Sequence, residues 1–418
     1  MKDAITKSLP VTYDMVWIAY LQVKENGGSA GVDKESLTDF EADLAANLYK
    51  IWNRLASGSY FPPPVKTVLI DKKSGGKRPL GIPTVGDCIA QTVIEQYIEA
   101  KIDSLFYANS YGYRPGKSAH EAIASCERNC KLYNWVIDLD IRNFFETINH
   151  DILIELMWHY TQEKWVVMYI QRWLQADIQQ PDGSIQSRKQ GTPQGGVISP
   201  LLANVYLHHV FDQCMACSNE HQFQLFERYA DDIVVHCRSK AEAEKLLAAI
   251  KVRLEDYQLE VHPDKTRLIY CKDYRRKEKH KSNSFTFLGF GFEPGMRYIR
   301  AAKKMTMRYF PSISKDAKTS IRQSMRKVLI PRWIDVDLEE FAHRLNPKIR
   351  GWVQYYTKFD KWAISPVFIY LNTLIMKYLK NKYRIRTKDK VYKKFVELQT
   401  QQPKLLVHWT FGIRVGLG

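Results

Sequence analysis

Two adjacent carboxylates, Asp231 and Asp232, lie between two runs of apolar and aromatic residues, 226–229 and 233–236. Each run is long enough for a short strand, so the sequence predicts a hairpin with the aspartates at its tip. Like charges this close are costly to ionise together unless a cation lies between them. An acidic turn in solvent is the common alternative, but the apolar run that follows at once favours a metal-binding hairpin. Such a site needs a third carboxylate from elsewhere.

A candidate for the third carboxylate lies in the run 135–145. Alternation there places Asp138 and Asp140 on one face of a strand and apolar residues on the other. A carboxylate inside an apolar strand is costly unless it is hydrogen-bonded or bound to a metal. We prefer Asp140, because it lies nearer the strand end, where catalytic groups face solvent. Together the three carboxylates suit two-metal nucleotidyl transfer, in which two divalent ions activate a 3′-hydroxyl and stabilise the departing pyrophosphate.

Two further segments have residues suited to phosphates and bases. Residues 65–83 predict a hairpin with Lys72 and Arg78 on opposite arms, where both could converge on a phosphate. A solvated basic turn is the alternative. The loop 190–196, rich in Gly and Gln, precedes a helix with a proline in its first turn. Its exposed backbone amides suit contact with a nucleotide or a template base.

The glycine-rich segment 25–33 allows two interpretations. A flexible linker is one, and a backbone free of side chains that presses against a nucleic-acid strand is the other. The residues alone do not choose between them.

Composition limits the class of protein. The 418 residues are too many for one compact core, and 45% hydrophobic content excludes a largely disordered chain. Lys and Arg number 62 against 45 Asp and Glu, a net charge of +17 that favours a nucleic-acid partner first and an anionic membrane surface second. The odd count of 7 cysteines indicates reduced thiols.

The chain lacks the sequence signals of membrane insertion or export. It contains no apolar run of the roughly 18 to 20 residues that a membrane span needs, and the N-terminus lacks the apolar core of a signal peptide. We therefore expect a cytoplasmic protein without a membrane partner.

Beyond residue 300 acidic residues become fewer, and Lys, Arg, Trp and Tyr interleave on helical periods. An ordinary helical bundle with a solvated basic face would give this pattern. A surface that follows phosphates and stacks on bases would give it too.

In their order along the chain, these segments resemble group II intron-encoded reverse transcriptases, also called maturases. Residues 229–232 resemble the active-site box of reverse transcriptases, and residues 345–356 are similar to the maturase thumb motif. Each block alone is weakly specific, whereas their joint order is highly specific. The other matching blocks are 26–33, 72–83, 110–115, 138–150, 190–204, 228–235, 262–266, 287–292 and 403–412.

The resemblance implies an α+β right-hand polymerase with fingers, a palm built on an antiparallel sheet, and an α-helical thumb. Fingers and palm would occupy residues 1–300, with a template-lid extension over about 1–60, and the thumb or maturase domain residues 301–418. Asp140, Asp231 and Asp232 would be the catalytic carboxylates that bind two Mg²⁺ ions. The Ile141 carbonyl would be a further candidate ligand.

The resemblance also implies roles for residues outside the metal site. Lys72 and Arg78 would hold the incoming triphosphate, and Gln194 would touch the nascent base pair. Phe145 would be the steric gate against a 2′-hydroxyl, with Phe144 its rival because the register is ambiguous by one. Template or primer contacts are implied for Gly28, Gly31, Arg114, Lys265 and Gly289, and RNA contacts in the thumb for Lys348, Arg350, Trp352 and Tyr355.

The implied partners are intron and template RNA, a DNA primer or target, and deoxynucleoside triphosphates, in a prokaryotic cytosol. Monomer and homodimer both stay open. Glu146 departs from the family pattern, which more often has Asp, a mild change. No Cys/His pattern of an HNH endonuclease follows the thumb motif. We therefore expect no cleavage of the second DNA strand, and insertion into single-stranded or replicating DNA.

Three functions are compatible with this pattern. The first is an RNA-dependent DNA polymerase that copies intron RNA and assists its splicing. The second is a domesticated relative that uses the same polymerase in DNA repair or phage defence. The third is a non-catalytic RNA-binding splicing cofactor, against which the intact carboxylates and basic residues argue.

Overall fold

The structure is a computed structural model that describes residues 8–71, 75–216, 225–276, 278–299, 303–329 and 336–411. The elements up to α11 form two groups, and the second group contains the three aspartates. The first run is α1 (Tyr13–Asn26), α2 (Leu37–Ala42), α3 (Leu44–Ala56), β1 (Val65–Asp71), β2 (Lys77–Ile82), α4 (Val85–Asp103) and α5 (Ala119–Leu132). The second is β3 (Trp135–Asp140), α6 (Phe144–Thr147), α7 (His150–Tyr160), α8 (Lys164–Leu174), β4 (Ile178–Gln179), β5 (Ile185–Gln186), α9 (Ser199–Leu207), a π-helix (His208–Asp212), α10 (Gln213–Ala216), β6 (Phe226–Tyr229), β7 (Asp232–Cys237) and α11 (Lys240–Asp256).

The remaining elements form two groups, strands and then helices. The strands are β8 (Arg267–Tyr270), β9 (Phe285–Phe287), β10 (Phe290–Ile299) and β11 (Lys304–Ile313). The helices are α12 (Lys315–Leu329), α13 (Leu338–Tyr356), α14 (Ser365–Lys382), α15 (Lys388–Gln401) and a 3₁₀ helix (Val407–Phe411).

The chain divides into two compact units, each built from two stretches of sequence. Unit 1 comprises Met1–Ser118 and Ile137–Arg267, and unit 2 comprises Ala119–Val136 and Leu268–Gly418. The predicted boundary at residue 300 separates fingers and palm from the thumb by their roles in catalysis. That boundary stays a prediction.

Three sheets accompany the helices. In strand order they are β2-β1-β4-β5, β6-β7-β3-β8 and β11-β10-β9. The pairs β1–β2, β6–β7, β9–β10 and β10–β11 are antiparallel. The predicted α+β class with antiparallel sheets is therefore confirmed. No helix among the described residues is long and apolar enough to cross a membrane.

The core of unit 1 explains why the aspartate-bearing strands form where they do. Ile233, Val234 and Val235 on β7 are 0% exposed, and on β3 Ile137 is 0% and Leu139 2% exposed. Strands buried on both faces show continuous apolar runs of this kind. The two runs therefore anchor in the core, and the carboxylates lie at their ends.

Unit 2 has its own helical core, formed mainly by α12, α13 and α14. A polar contact fastens the end of the described chain to this core. The indole N–H of Trp409 donates to Asn372 Oδ1 at 3.0 Å, and the imidazole of His408 lies 2.7 Å from the same oxygen. All three side chains are buried.

Candidate active site

The Asp-Asp pair lies at a two-residue turn between β6 and β7. Tyr229 pairs with Asp232 across the two strands, so Ala230 and Asp231 form the turn. The φ of Ala230 is 55°, in the left-handed region that costs a residue with a side chain about 1–3 kcal/mol. The hairpin predicted from the sequence is confirmed, and its tip is strained.

Asp140 lies at the end of β3, where hydrogen bonds fix its backbone on both sides. Its N–H donates to Thr266 Oγ1 at 3.2 Å, and its carbonyl accepts from the His262 N–H at 2.8 Å. Its carboxylate is 40% exposed, and each oxygen lies 3.3 Å from the Lys265 ammonium. The candidate third carboxylate therefore faces outward beside a cation.

Asp138, the alternative on the same strand, has a different environment. Its side chain is 15% exposed and accepts a hydrogen bond from Arg267 Nη2 at 2.8 Å. Burial raises the pKa of Asp138, and Arg267 acts against that rise. Both aspartates have a cationic partner, but Asp140 is 40% exposed against 15% for Asp138, so Asp140 stays the preferred candidate for a metal ligand.

The charges around the hairpin act on one another. Burial raises the pKa of Asp231 and the negative charge of Asp140 raises it further, while Arg78 and Lys265 lower it. Asp140 and Lys265 are in direct contact, and the charges of both act on Asp231, as does that of Arg78. A bound divalent cation would offset the cost that burial and the charge of Asp140 place on ionised Asp231.

The donor atoms at this site fit Mg²⁺, which prefers hard oxygen ligands. Asp140, Asp231 and Asp232 supply carboxylate oxygens. The backbone hydrogen bonds on either side of Ile141 use the carbonyls of Asp140 and Glu260. The Ile141 carbonyl takes no part in those two bonds, so it is a suitable further donor.

The β1–β2 hairpin brings Arg78 to the Gln-Gly loop, residues 190–196. Arg78 Nε donates to Gln194 Oε1, and the Gly81 N–H donates to the Gln194 carbonyl at 2.8 Å. The φ of Gly195 is 120°, and a Cβ there would lie 2.4 Å from the Gly81 carbonyl oxygen, so this position needs glycine. The two segments predicted to bind the nucleotide thus meet. Lys72 lies outside the described residues.

The two candidate gate residues differ in exposure. Phe144 is 2% exposed, whereas Phe145 is half-buried. The Phe145 carbonyl accepts from the Thr192 N–H at 2.7 Å, and a Cβ on Gly191 would lie 2.8 Å from that carbonyl. The Gln-Gly loop therefore packs on the backbone of Phe145. Of the two rings, Phe145 keeps the accessible surface.

The predicted template contacts in unit 1 fall into different environments. A Cβ on Gly31 would lie 2.7 Å from Thr84 Cα, so the packing of the fold requires glycine there. Among the described residues, nothing lies within 4 Å of a Cβ built on Gly28. The Arg114 side chain is 6% exposed and donates to the Asp103 carboxylate at 2.6 Å and to three backbone carbonyls. The structure thus gives Arg114 protein acceptors, and its template contact stays a prediction.

The predicted contacts in unit 2 differ in exposure. The φ of Gly289 is 78°, and Tyr355 Oη donates to the carbonyl of the preceding residue at 2.8 Å. Lys348 and Arg350 are exposed on α13. Trp352 and Tyr355 are half-buried, and Trp352 packs against the hydrophobic core. The two basic residues are therefore the accessible members of the predicted RNA-binding set.

The sequence analysis missed the side chains that hold the hairpin from within. Arg228 is 0% exposed, and its guanidinium donates to Asp212 at 2.8 and 2.6 Å. It also donates to Asn204 Oδ1 at 2.8 Å and to the Ala230 carbonyl at 3.3 Å. Asn204 Nδ2 in turn donates to the Gly112 carbonyl at 2.8 Å. These bonds connect the strained turn to α9, the π-helix and the loop before α5.

Backbone contacts complete this support. The Tyr111 N–H donates to the Arg228 carbonyl at 2.8 Å, and a Cβ on Gly112 would lie 2.4 Å from the Ala230 nitrogen. Burial acts to raise the pKa of Asp212, but the charges and hydrogen bonds of Arg228 and His208 together outweigh burial and lower it. The sequence held one signal of this support, which was Arg228 within an apolar strand. A buried arginine needs a carboxylate from another element.

The matches to protein families cover both units. The reverse transcriptase (RNA-dependent DNA polymerase) family matches residues 70–292, and the group II intron maturase-specific domain matches residues 318–396. The chain therefore belongs to the reverse transcriptase family. Within that family it is of the group II intron reverse transcriptase/maturase type.

Three relatives illustrate the range of similarity. Protein YkfC of Escherichia coli K12 is 30% identical over 302 residues, 62% of this chain and 74% of that protein. The group II intron-encoded protein LtrA of Lactococcus lactis is 32% identical over 200 residues, 47% of this chain and 33% of LtrA. An uncharacterized 91 kDa protein in the cob intron of Schizosaccharomyces pombe is 25% identical across 93% of this chain. The chain spans 55% of that fungal protein, so it is far shorter than two of the three.

Proposed function

We propose that this chain is an active RNA-directed DNA polymerase that copies the RNA of a group II intron into DNA. The observation that carries the proposal is the contact of Arg78 with Gln194 of the Gln-Gly loop, together with the charges of Asp140 and Arg78 that act on Asp231. A purely structural acidic turn has no need of a second, accessible carboxylate and a guanidinium next to it.

Each residue of the site has a role in this proposal. Asp140, Asp231 and Asp232 hold the metal ions, which when bound would activate the primer 3′-hydroxyl and stabilise the leaving pyrophosphate. Arg78 binds the triphosphate through its planar fork of donors. Phe145 excludes a 2′-hydroxyl by the surface of its ring. The hydrogen bonds to the backbone of Asp140 fix the direction of its carboxylate before substrate binds.

The test is Mg²⁺-dependent extension of a DNA primer on an RNA template. Asp231→Asn is expected to reduce extension by at least about a thousandfold, because it removes a negative ligand of the metal. Its affinity for the template–primer duplex is expected to stay within a few-fold. Asp256→Asn, an exposed carboxylate at the end of α11, serves as the matched control and is expected to extend normally. Normal extension by Asp231→Asn would refute the site assignment.

We propose assistance to intron splicing as a second function. The match to the maturase-specific domain and the intron-encoded relatives support it. The exposed Lys348 and Arg350 are the residues we assign to RNA binding there. The test uses RNA transcribed from the gene together with the DNA on either side of it. Its splicing is measured at low Mg²⁺ with and without the protein. The same yield of spliced RNA in both reactions would contradict it.

Two alternatives give different results in the same assays. A non-catalytic splicing cofactor would accelerate splicing without extending a primer. A domesticated polymerase in DNA repair or phage defence would extend the primer, but no intron RNA fold would flank its gene.

A further inference from the structure

Arg188 is a partly buried arginine with no hydrogen-bond or ion-pair partner in the described part of the chain. It lies in the connection between β5 and the Gln-Gly loop, and its Nη1 atom is buried without a hydrogen bond. Burial lowers the pKa of Arg188 to about 10, and no nearby carboxylate offsets that effect. A guanidinium has five N–H donors, and burying its charge without an acceptor is strongly destabilising.

Other shielded arginines of unit 1 show how the fold normally treats this side chain. Arg114 donates to Asp103, and Arg228 donates to both oxygens of Asp212. Each therefore has a carboxylate that offsets the loss of water. Arg188 differs from both, because the described residues provide it with neither a carboxylate nor a carbonyl acceptor.

The surroundings of Arg188 place it beside the proposed gate. Arg188 precedes the Gln-Gly loop by two residues, and its positive charge adds to the burial that lowers the pKa of His150. The His150 ring lies 2.8 Å from the Gly191 carbonyl oxygen. A Cβ on Gly191 would in turn lie 2.8 Å from the Phe145 carbonyl. Arg188 is nevertheless not fully enclosed, so an outside ligand can reach it.

We propose that Arg188 binds a phosphate group of the substrate, which supplies the acceptor oxygens that the protein lacks there. The planar guanidinium fork matches the oxygens of a phosphate in a bidentate arrangement. The phosphate belongs either to the nucleic-acid strand at the active site or to the incoming triphosphate. This inference rests on the proposed polymerase function, which gives the site both kinds of phosphate.

The experiment compares Arg188→Gln and Arg188→Lys with Lys189→Gln, which removes the neighbouring exposed cation. Thermal unfolding of the free protein is measured first. Binding of an RNA template–DNA primer duplex is then measured over a range of salt concentrations without nucleotide. KM for deoxynucleoside triphosphates is measured last.

The expected result combines normal folding with weaker binding. Arg188→Gln is expected to unfold at the wild-type temperature or above it, because it removes an unpaired shielded charge. For a strand phosphate, duplex affinity falls about tenfold, and the slope of log affinity against log salt becomes shallower by about one. For the triphosphate, KM rises about tenfold and duplex affinity stays unchanged. Arg188→Lys keeps part of the binding, and Lys189→Gln changes each quantity less than Arg188→Gln does.

Two results would overturn the inference. A lower unfolding temperature of free Arg188→Gln would show that the arginine stabilises the protein itself. Equal effects of Arg188→Gln and Lys189→Gln on duplex affinity and on KM would show that it binds no particular phosphate. Unfolding and duplex binding need no catalysis, so both can fail while wild-type primer extension still supports the polymerase.

Discussion

At the scale of single residues, the hairpin that carries Asp231 and Asp232 is held by buried side chains beneath it. Arg228 and Asn204 bond the turn and the loop beneath it, and Gly112 leaves no room for a side chain next to Ala230. We expect rigidity here to matter because the aspartates must keep their positions within a fraction of an ångström.

Substitution of Gly112 tests this dependence. The Cβ introduced by Gly112→Ala would lie 2.4 Å from the Ala230 nitrogen, so the turn must move. We expect the rate of single-turnover primer extension to fall at least about tenfold, since misplacement by an ångström can cost about a hundredfold. Duplex affinity is expected to remain within about twofold.

Gly351→Ala is the matched control for this substitution. Nothing described lies within 4 Å of the Cβ position, and the residue is inside α13, where alanine is favoured over glycine. Equal extension rates for the Gly112 and Gly351 variants would show that the turn tolerates the displacement.

The choice of gate residue gives a second prediction at this scale. Phe145→Ala is expected to incorporate ribonucleotides at a rate closer to that of deoxynucleotides, because the half-buried ring is removed. Phe144→Ala is expected to lower the free energy of unfolding by about 3–5 kcal/mol instead, since Phe144 is 2% exposed. The measurements are the ratio of incorporation rates and urea unfolding. Unchanged sugar discrimination in Phe145→Ala would assign the gate elsewhere.

Sequence reasoning identified the three aspartates but not their partners. The preference for Asp140 followed from its place at the strand end. The partner of Asp138, Arg267, is 129 positions away in the chain, and that of Arg228, Asp212, is 16 positions away. Such pairs depend on how elements pack, which a local pattern does not contain.

At the scale of elements, the sequence predicted the two hairpins and the helical character beyond residue 300, but not the interruptions of helices. Residues 37–56 form two helices rather than one, because Asp43 leaves the helical region with φ −130° and ψ 51°. Residues 208–212 form a π-helix, which no local sequence pattern predicted. Its wider turn ends at Asp212, the carboxylate that pairs with Arg228, so a tertiary requirement overrides local preference there.

The contact between the 3₁₀ helix and α14 predicts a dependence of stability on pH. Burial lowers the pKa of His408 to about 3, below its ordinary value of 6.5. As pH falls through 6.5, the unfolded chain binds a proton that the folded protein excludes. The free energy of unfolding therefore decreases, by up to about 1.4 kcal/mol per pH unit, until pH approaches 3.

His408→Gln separates this effect from other titrations, because glutamine can still donate to Asn372 but does not ionise. Between pH 7 and pH 5.5, the wild type is expected to lose about 1 kcal/mol more stability than the variant. Urea unfolding at the two pH values provides the comparison. Parallel losses in both proteins would mean that His408 is protonated equally in the folded and unfolded chains.

At the scale of the whole molecule, the net charge of +17 predicts how RNA binding responds to salt. Neutralised phosphates release counterions, so log affinity is expected to fall linearly with log salt. The double substitution Lys348→Gln, Arg350→Gln is expected to make the slope shallower by about 1.5 to 2. Lys251→Gln, exposed on α11, is the control and is expected to leave the slope unchanged. A salt-independent affinity would contradict phosphate binding by this surface.

Unit 2 consists of two separate stretches of the chain, and this has a consequence for its synthesis on the ribosome. Helix α5 buries Ala122, Ile123 and Cys126, and within its unit it packs against β11. At about 5–20 residues per second, β11 leaves the ribosome on the order of ten seconds or more after α5. During that interval the apolar face of α5 lacks β11. We therefore expect a nascent chain stalled before β11 to aggregate more readily than the complete chain.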